Sequence, residues 1–436
     1  MGIRYLAVVV LTLTFTSVWL FYGPTLTAVT YDASMSVATG EVLALETTDE
    51  VTRTITPDTR PVVHHVPLPE SVKAIYMSAC VVGTPSFRSQ LVDLIKETEL
   101  NTVIIDIKDY SGTIAFPPTH PGWQPAWQAA TCGARDMKEF IASLHAANIF
   151  VIGRITVFQD PFKAAASPHL AVKRADGVTN WKDGKGLSFI DVAAKEHWNH
   201  IIDLAVDSYN IGFDELNFDY VRYPSDGNMQ DISFPHSQAS EWPNDKQANL
   251  EAFFRYLNTE LDKPERFAAV RHENTGRATA TPWTSADLFG MTTTNYDDLS
   301  IGQIQERAVP YFDFVAPMVY PSHYPNNYLG LGNPNDHPYK IVYHAMKSGV
   351  DRLTATTTTL AGFTHTRIGS SSPALYSKPV YTGDKLRTWI QDFDYGGDYD
   401  ATDVRAQIQA SYDAGVDSWM IWAPSNRYTR AALLDE

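Results

Sequence analysis

With 436 residues, 44% of them hydrophobic, the chain has material for one large barrel or two medium domains. Its formal charge of −16 argues against a nucleic-acid partner, which needs a basic surface. Two cysteines are too few for a disulfide scaffold, no Cys/His cluster has structural-zinc spacing, and no glycine loop is built to cradle phosphate, so neither metal nor cofactor is expected.

Residues 1–29 open with Met-Gly-Ile-Arg, and Leu6 to Tyr22 carries no charge. A cation ahead of an apolar run is the polarity of a secretory signal or an N-terminal membrane anchor. Leu26 is a poor third residue before a cleavage point, which favours an uncleaved anchor with the remainder exported. Residues 30–70 are Thr, Val, Pro and acid without a sustained period, and Pro57, Pro61, Pro67 and Pro69 keep them extended. They read as a spacer, and the His64-His65 pair within it as solvated rather than metal-binding.

From 71 to 436 strand and helix signals alternate. Strands are expected at Val72–Ala79, Thr102–Lys108 and Phe150–Phe158, with helices near Phe87–Glu99 and Asp136–Ala147. A helix near Lys195–Asn210 leads to a fourth strand inside Gly212–Pro224 (GFDELNFDYVRYP), ended by Pro224 and the Ser-Asp-Gly after it. A helix near Lys246–Asp262 follows. The fifth strand falls at Arg277–Ala280 or at Ala286–Gly290, between which the pattern does not choose. Phe312–Tyr320, Leu386–Phe393 and Asp417–Ala423 supply the remaining three. A Thr/Ser-rich insertion near 353–382 is long for a barrel connection and reads either as a β-rich excursion or as a mobile loop. Buried strands alternating with amphipathic helices imply a parallel sheet, and eight such units imply a closed (β/α)8 TIM barrel. Cys80 and Cys132 both fall in expected loops just past strands, so an oxidising compartment would allow one bridge.

Period-2 alternation places Asn217 and Asp219 on one face, near the C-terminal end of the fourth strand. A carboxylate buried there is costly unless it is paired or used, and that end of a barrel is where catalytic groups sit. Polar residues collect at the same end of other strands: Asp106, Lys108 and Asp109; Arg154; Arg222; Tyr320 and His323; Gln391 and Asp392; Trp422 and Asn426. Each has a bland explanation, such as an Asp106–Lys108 pair on one face or His323 capping a turn. Convergence from six strands is harder to explain by packing. Several carboxylates flanked by Arg, Tyr, His and Trp suit glycoside cleavage, in which one acid protonates the leaving oxygen and a second attacks or activates water.

Taken with IDIKDYSG, GRITVFQDP, APMVYPSHY, WIQDF and MIWAPSNRYT, the fourth-strand stretch resembles the bacterial family known as the putative glycoside hydrolase domain, over about Lys73 to Thr429. The resemblance implies a (β/α)8 fold and a sugar-cleaving role, with matching positions at Asp106, Lys108, Asp109, Arg154, Asp219, Arg222, Tyr320, His323, Gln391, Asp392 and Asn426. More distantly, the stretch is similar to the chitinase-type signature, but Asn217 stands where that pattern has an acid, and Val221 and Arg222 where it has a glutamate. A substrate-assisted mechanism is therefore not expected. The expectation is an exported, membrane-tethered hydrolase of a carbohydrate polymer, with Asp219 as nucleophile or base, Asp392 as partner acid and Asp106 as substitute. Lys108, Asp109, Arg154, Asn217, Arg222, Tyr320, His323, Gln391, Trp422 and Asn426 would bind substrate. The alternatives are a carbohydrate-binding barrel without chemistry and a metal-dependent polysaccharide deacetylase.

Overall fold

The computed structural model describes residues 63–267, 277 and 280–435. These fall in the unit Thr59–Glu436; the expected anchor and most of the expected spacer lie outside the described residues. Among the described residues, no helix is long and apolar enough to cross a membrane.

Six strands come first: β1 (Lys73–Met77), β2 (Thr102–Lys108), β3 (Phe150–Thr156), β4 (Glu215–Asp219), β5 (Trp283–Phe289) and β6 (Phe314–Met318). The 353–382 excursion is ordered, and its β7 (Thr357–Thr358), β8 (Thr366–Ile368) and β9 (Leu375–Ser377) make a small antiparallel sheet in the order β7-β9-β8. β10 (Thr388–Gln391) and β11 (Trp419–Trp422) then complete a closed parallel barrel, β1-β11-β10-β6-β5-β4-β3-β2. The fifth strand overlaps the second of its two expected positions, while Arg277 lies before it and pairs with Asp313 at 2.6 Å.

Every residue of β2 and β3 is buried, as both faces of a parallel barrel strand are covered. On β2 to β4 the outward set of Ile105, Ile107, Val151, Ile155, Leu216 and Phe218 joins the large core cluster beneath the surrounding helices. The inward set of Ile104, Phe150 and Ile152 meets Ala316, Trp389 and Met420 in a second cluster inside the barrel. Full burial of each such side chain stabilises by roughly 1.5–3 kcal/mol. Two glycines let this packing close. At Gly153 a Cβ would stand 2.2 Å from Ile107 Cδ1, and Gly212, at φ 121°, ends the helix Lys195–Ile211 and turns the chain into β4.

The last part of the expected spacer belongs to the barrel. Val63 and His65 are buried, and Val66 and Leu68 pack against the inner cluster. The Asp214 carboxylate binds the Val66 N–H at 3.0 Å, His65 Nδ1 at 3.2 Å and His145 Nε2 at 3.0 Å. His65 is therefore not the solvated residue that the proline-rich sequence around it suggests. Cys80, after β1, and Cys132, after β2, form a disulfide with their α-carbons 4.6 Å apart.

Candidate active site

Barrel register sets the polar residues in layers. Arg154 of β3 is in register with Asp106 of β2 and with Asn217 of β4, and Asn217 with Ser285 of β5. Along β4, Glu215, Asn217 and Asp219 all reach inward, because alternate residues share a face. Lowest is Glu215, which takes two bonds from Arg387 Nη1 at 2.6 and 2.7 Å and one from Ser285 Oγ at 2.6 Å. This sealed ion pair is structural.

Above it, Asn217 Nδ2 donates to Ser285 Oγ at 3.0 Å and to Asp287 Oδ1 at 2.9 Å. Asp287, on β5, also accepts from the Trp389 indole N–H at 2.7 Å. At the top, Asp219 Oδ2 accepts from Arg154 Nε at 3.0 Å and from Arg154 Nη2, while Oδ1 accepts from the Tyr220 N–H at 2.5 Å. Tyr220 sits at φ 49°, a left-handed conformation that costs a bulky residue about 1–3 kcal/mol. The strained turn stops β4 at Asp219 and puts the tyrosine ring in the cavity wall.

Arg154 is the hub. Besides Asp219 it donates to Asp106 Oδ1 at 2.7 Å, and Asp287 Oδ2 lies 3.8 Å from its Nε. Its guanidinium stands 5.2 Å from the Trp422 ring centre and 5.8 Å from that of Tyr76. The neighbouring carboxylates hold its pKa far above the ordinary value against strong desolvation. Two of the carboxyls around it are driven upward. Burial and then the Asp219 charge push Asp287 up to about 8, only partly opposed by Arg154, Asn217 and Trp389. Burial raises Asp106 as well, against the pull of Arg154 and of the Tyr76 hydroxyl that donates to it.

Asp219, Asp287 and Arg154 open onto a cavity of about 310 Å³. Its walls include Tyr220, Arg222, Tyr320, His323, Trp389 and Trp422, with Lys185 from the β3–β4 connection at its edge. Trp422, His323 and Lys185 also border an adjoining groove of about 810 Å³ with Tyr395 and Tyr399. A ring-lined cavity continuous with an open aromatic groove can hold a sugar and its polymer neighbours.

Several residues read from the sequence stand elsewhere. Asp392, expected as partner acid, lines the outer groove rather than the Asp219 cavity. Its two oxygens accept from the Thr429 N–H at 2.8 Å and hydroxyl at 2.7 Å, so it fastens the loop after β11. Asp106 lies behind Arg154 and outside the cavity wall. Lys108 does not pair with Asp106. The β2–β3 register shifts between the two residues, and Lys108 is sealed against Asp160 at 3.0 Å and the Thr156 carbonyl at 2.6 Å. Asp109 accepts from the Ser111 N–H and hydroxyl in a tight turn. Gln391 braces Ser322 and the Phe393 carbonyl, and Asn426, at φ 54°, accepts from the Ser78 N–H at 2.8 Å. These four satisfy backbone and loop groups, which leaves little of them for a substrate.

Asp287 is the residue that sequence reading missed. Its signal is present in TSADLFG, where Ser285 and Asp287 alternate with apolar Ala286 and Leu288, but this is only one of two positions open for the fifth strand. Among the described residues, no group of three or more His, Cys, Asp and Glu is placed to hold a metal ion.

Residues 74–428 match the family described as "Putative glycosyl hydrolase domain". Among solved structures, the PgaB (BpsB) glycoside hydrolase domain from Bordetella bronchiseptica aligns with a TM-score of 0.52 at 13% identity, over 86% of this chain and 99% of that one. That likeness is one of fold. A hypothetical protein from Ruminiclostridium thermocellum ATCC 27405 shares 27% identity over 46% of this chain and 96% of its own, with a TM-score of 0.37. No curated protein matches the chain.

Proposed function

The chain belongs to the putative glycosyl hydrolase domain family, and so to the glycoside hydrolases, and from that premise we propose that Asp219 and Asp287 are its two reacting carboxyls. The observation that carries this reading is the split between them. Arg154 grips Asp219 with two N–H groups, while burial and the Asp219 charge push Asp287 up to about 8. One acid held charged and its neighbour held neutral is the division of labour that glycoside cleavage uses.

Asp287 Oδ1 already accepts two N–H bonds, so the transferable proton belongs on Oδ2. In the first step Asp219 bonds to the anomeric carbon as the glycosidic C–O bond breaks, and the departing oxygen takes the Asp287 proton. In the second, Asp287, now a carboxylate, takes a proton from water as that water displaces Asp219. The Oδ2 atoms of both acids approach the same Arg154 Nε, at 3.0 and 3.8 Å, so they stand no further apart than those distances end to end, about 6.8 Å. Direct attack with retention uses about 5–5.5 Å and inversion roughly 6.5–9.5 Å, so this limit favours retention. Trp422, Trp389 and Tyr320 would stack on the sugar faces.

We place the enzyme outside the cytoplasm, tethered by its N-terminal segment, on a polysaccharide of the cell envelope or its surroundings. The uncharged run after Arg4 supports this, as does the Cys80–Cys132 disulfide, which suits an oxidising compartment.

Asp219→Asn and Asp287→Asn test the assignment on a polysaccharide panel and on aryl glycosides with good leaving groups. Asp219→Asn should lose both activities. Asp287→Asn should lose the polysaccharides yet keep much of the aryl glycoside activity, because a good leaving group needs no proton. Full polysaccharide activity in either variant would remove that residue from the mechanism.

A further inference from the structure

We infer that the sugar seated in this cavity carries an anionic group, held by Lys185 and Arg222. The inference rests on the hydrolase reading above and adds the substrate's charge to it. Both side chains line the cavity that holds Asp219 and Asp287, and neither forms an ion pair among the described residues. Arg222 spends one nitrogen internally, donating from Nη1 to the Tyr223 carbonyl at 3.0 Å and to Ser225 Oγ at 3.2 Å. Its guanidinium lies 4.9 Å from the Tyr220 ring centre, which fixes its plane. The Nε and Nη2 edge makes no bond among the described residues. That edge is the fork that grips a carboxylate, sulfate or phosphate with two parallel bonds.

Lys185 is held over the same space by a built turn. Asp183 Oδ1 accepts the backbone N–H groups of Lys185 at 2.9 Å and Leu187 at 2.8 Å, and the Gly186 N–H donates to the Asp183 carbonyl at 3.0 Å. The other Asp183 oxygen accepts from Gln159 Nε2 at 3.3 Å. This acid thus shapes the turn rather than neutralising the lysine. Asp226, beside Gly184, lines neither the cavity nor the groove.

Charge balance points the same way. Arg154 faces both Asp219 and Asp106, and the Asp287 carboxyl is neutral when armed to donate, so with Lys185 and Arg222 three cations stand against two carboxylates and the cavity carries a net positive charge of one. The chain as a whole carries −16 and repels polyanions. Two cations with no ion-pair partner among the described residues, at the place where sugar would meet the acids, are therefore a local exception that selects an anionic residue at that subsite. A cationic, amino-sugar residue would meet repulsion there.

The test is affinity electrophoresis of the full chain in gels cast with polygalacturonate, alginate, hyaluronan or chondroitin sulfate. Each polymer is paired with its carboxyl-reduced form, and the last also with its desulfated form. Retardation by at least one native polymer, weakened when the anionic group is removed, is expected. The reduced and desulfated arms tell which anion is read. Lys185→Gln with Arg222→Gln should raise the dissociation constant for that polymer roughly tenfold or more. It should leave the constant for the neutralised polymer unchanged. Equal retardation by native and neutralised polymers, retardation by none, stronger retardation by chitosan, or a double variant that binds like wild type would each overturn the inference. Reducing ends released from the same polymers, and from neutral glucans and chitosan, report separately on hydrolysis. Cleavage of neutral glycans without anion-dependent binding sinks the charge assignment and keeps the hydrolase. Anion-dependent binding without cleavage of any polymer does the reverse.

Discussion

Replacing Trp389 with phenylalanine tests the link between the geometry and the chemistry most sharply. The indole N–H donates to Asp287 Oδ1 at 2.7 Å, and a donor at that atom favours the charged carboxylate. Phenylalanine keeps most of the ring and removes only that bond. A hydrogen bond to an ionised partner contributes about 1.5–3 kcal/mol, and each pKa unit corresponds to about 1.36 kcal/mol, so Asp287 should rise by about 1–2 units. Asp287 must be protonated to act as the acid, so the basic limb of the kcat/KM profile, set by its value of about 8, should move to higher pH. The stability effect has the matching sign. A carboxyl whose folded pKa is raised contributes stability that is full below its unfolded value of 3.8 and is lost as pH rises through about 8. In Trp389→Phe that loss should extend to still higher pH. The assay is kcat/KM against pH on a cleaved oligosaccharide, with urea midpoints at pH 6 and pH 9. A basic limb that stays put, or moves to lower pH, would refute Asp287 as the general acid.

Arg154→Gln strips the counter-charge from buried Asp106 and Asp219 and should cost roughly 3–5 kcal/mol at neutral pH. Asp106, already raised by burial, would rise further without the pull of Arg154, so the deficit should shrink as pH falls from 7.5 to 5; urea denaturation at the two pH values reads it, and an equal deficit at both would contradict the charge argument. Asp392→Asn should cost on the order of 1–2 kcal/mol through the weakened Thr429 bonds while sparing kcat, and a thousandfold fall in kcat would restore Asp392 as the partner acid. Cys80→Ser with Cys132→Ser opens a loop spanning 52 positions and should lower stability by about 2–4 kcal/mol, seen as a lower urea midpoint. Activity should persist, because neither cysteine lines the Asp219 cavity.

The barrel was legible in the sequence because buried parallel strands are long apolar runs, and TVIIDIK and FVIGRIT can hardly be anything else. Period-2 alternation likewise aimed Asn217 and Asp219 inward, since that depends only on the pleat. Local sequence could not determine what each inward group meets. Trp389 reaches Asp287 across 102 positions, and Arg387 reaches Glu215 across 172, through barrel closure alone. A register shift in β2 sent Lys108 to Asp160 rather than Asp106, and a register shift leaves no mark in composition. Asp392 and Asp287 are equally plausible acids as letters in a chain. Their difference lies in their surroundings: a loop amide and hydroxyl fasten the first, whereas burial beside the charge of Asp219 keeps a proton on the second. Desolvation and charge proximity are properties of packed volume, and so the proposal of Asp287 as the second acid rests on the tertiary structure and not on the sequence.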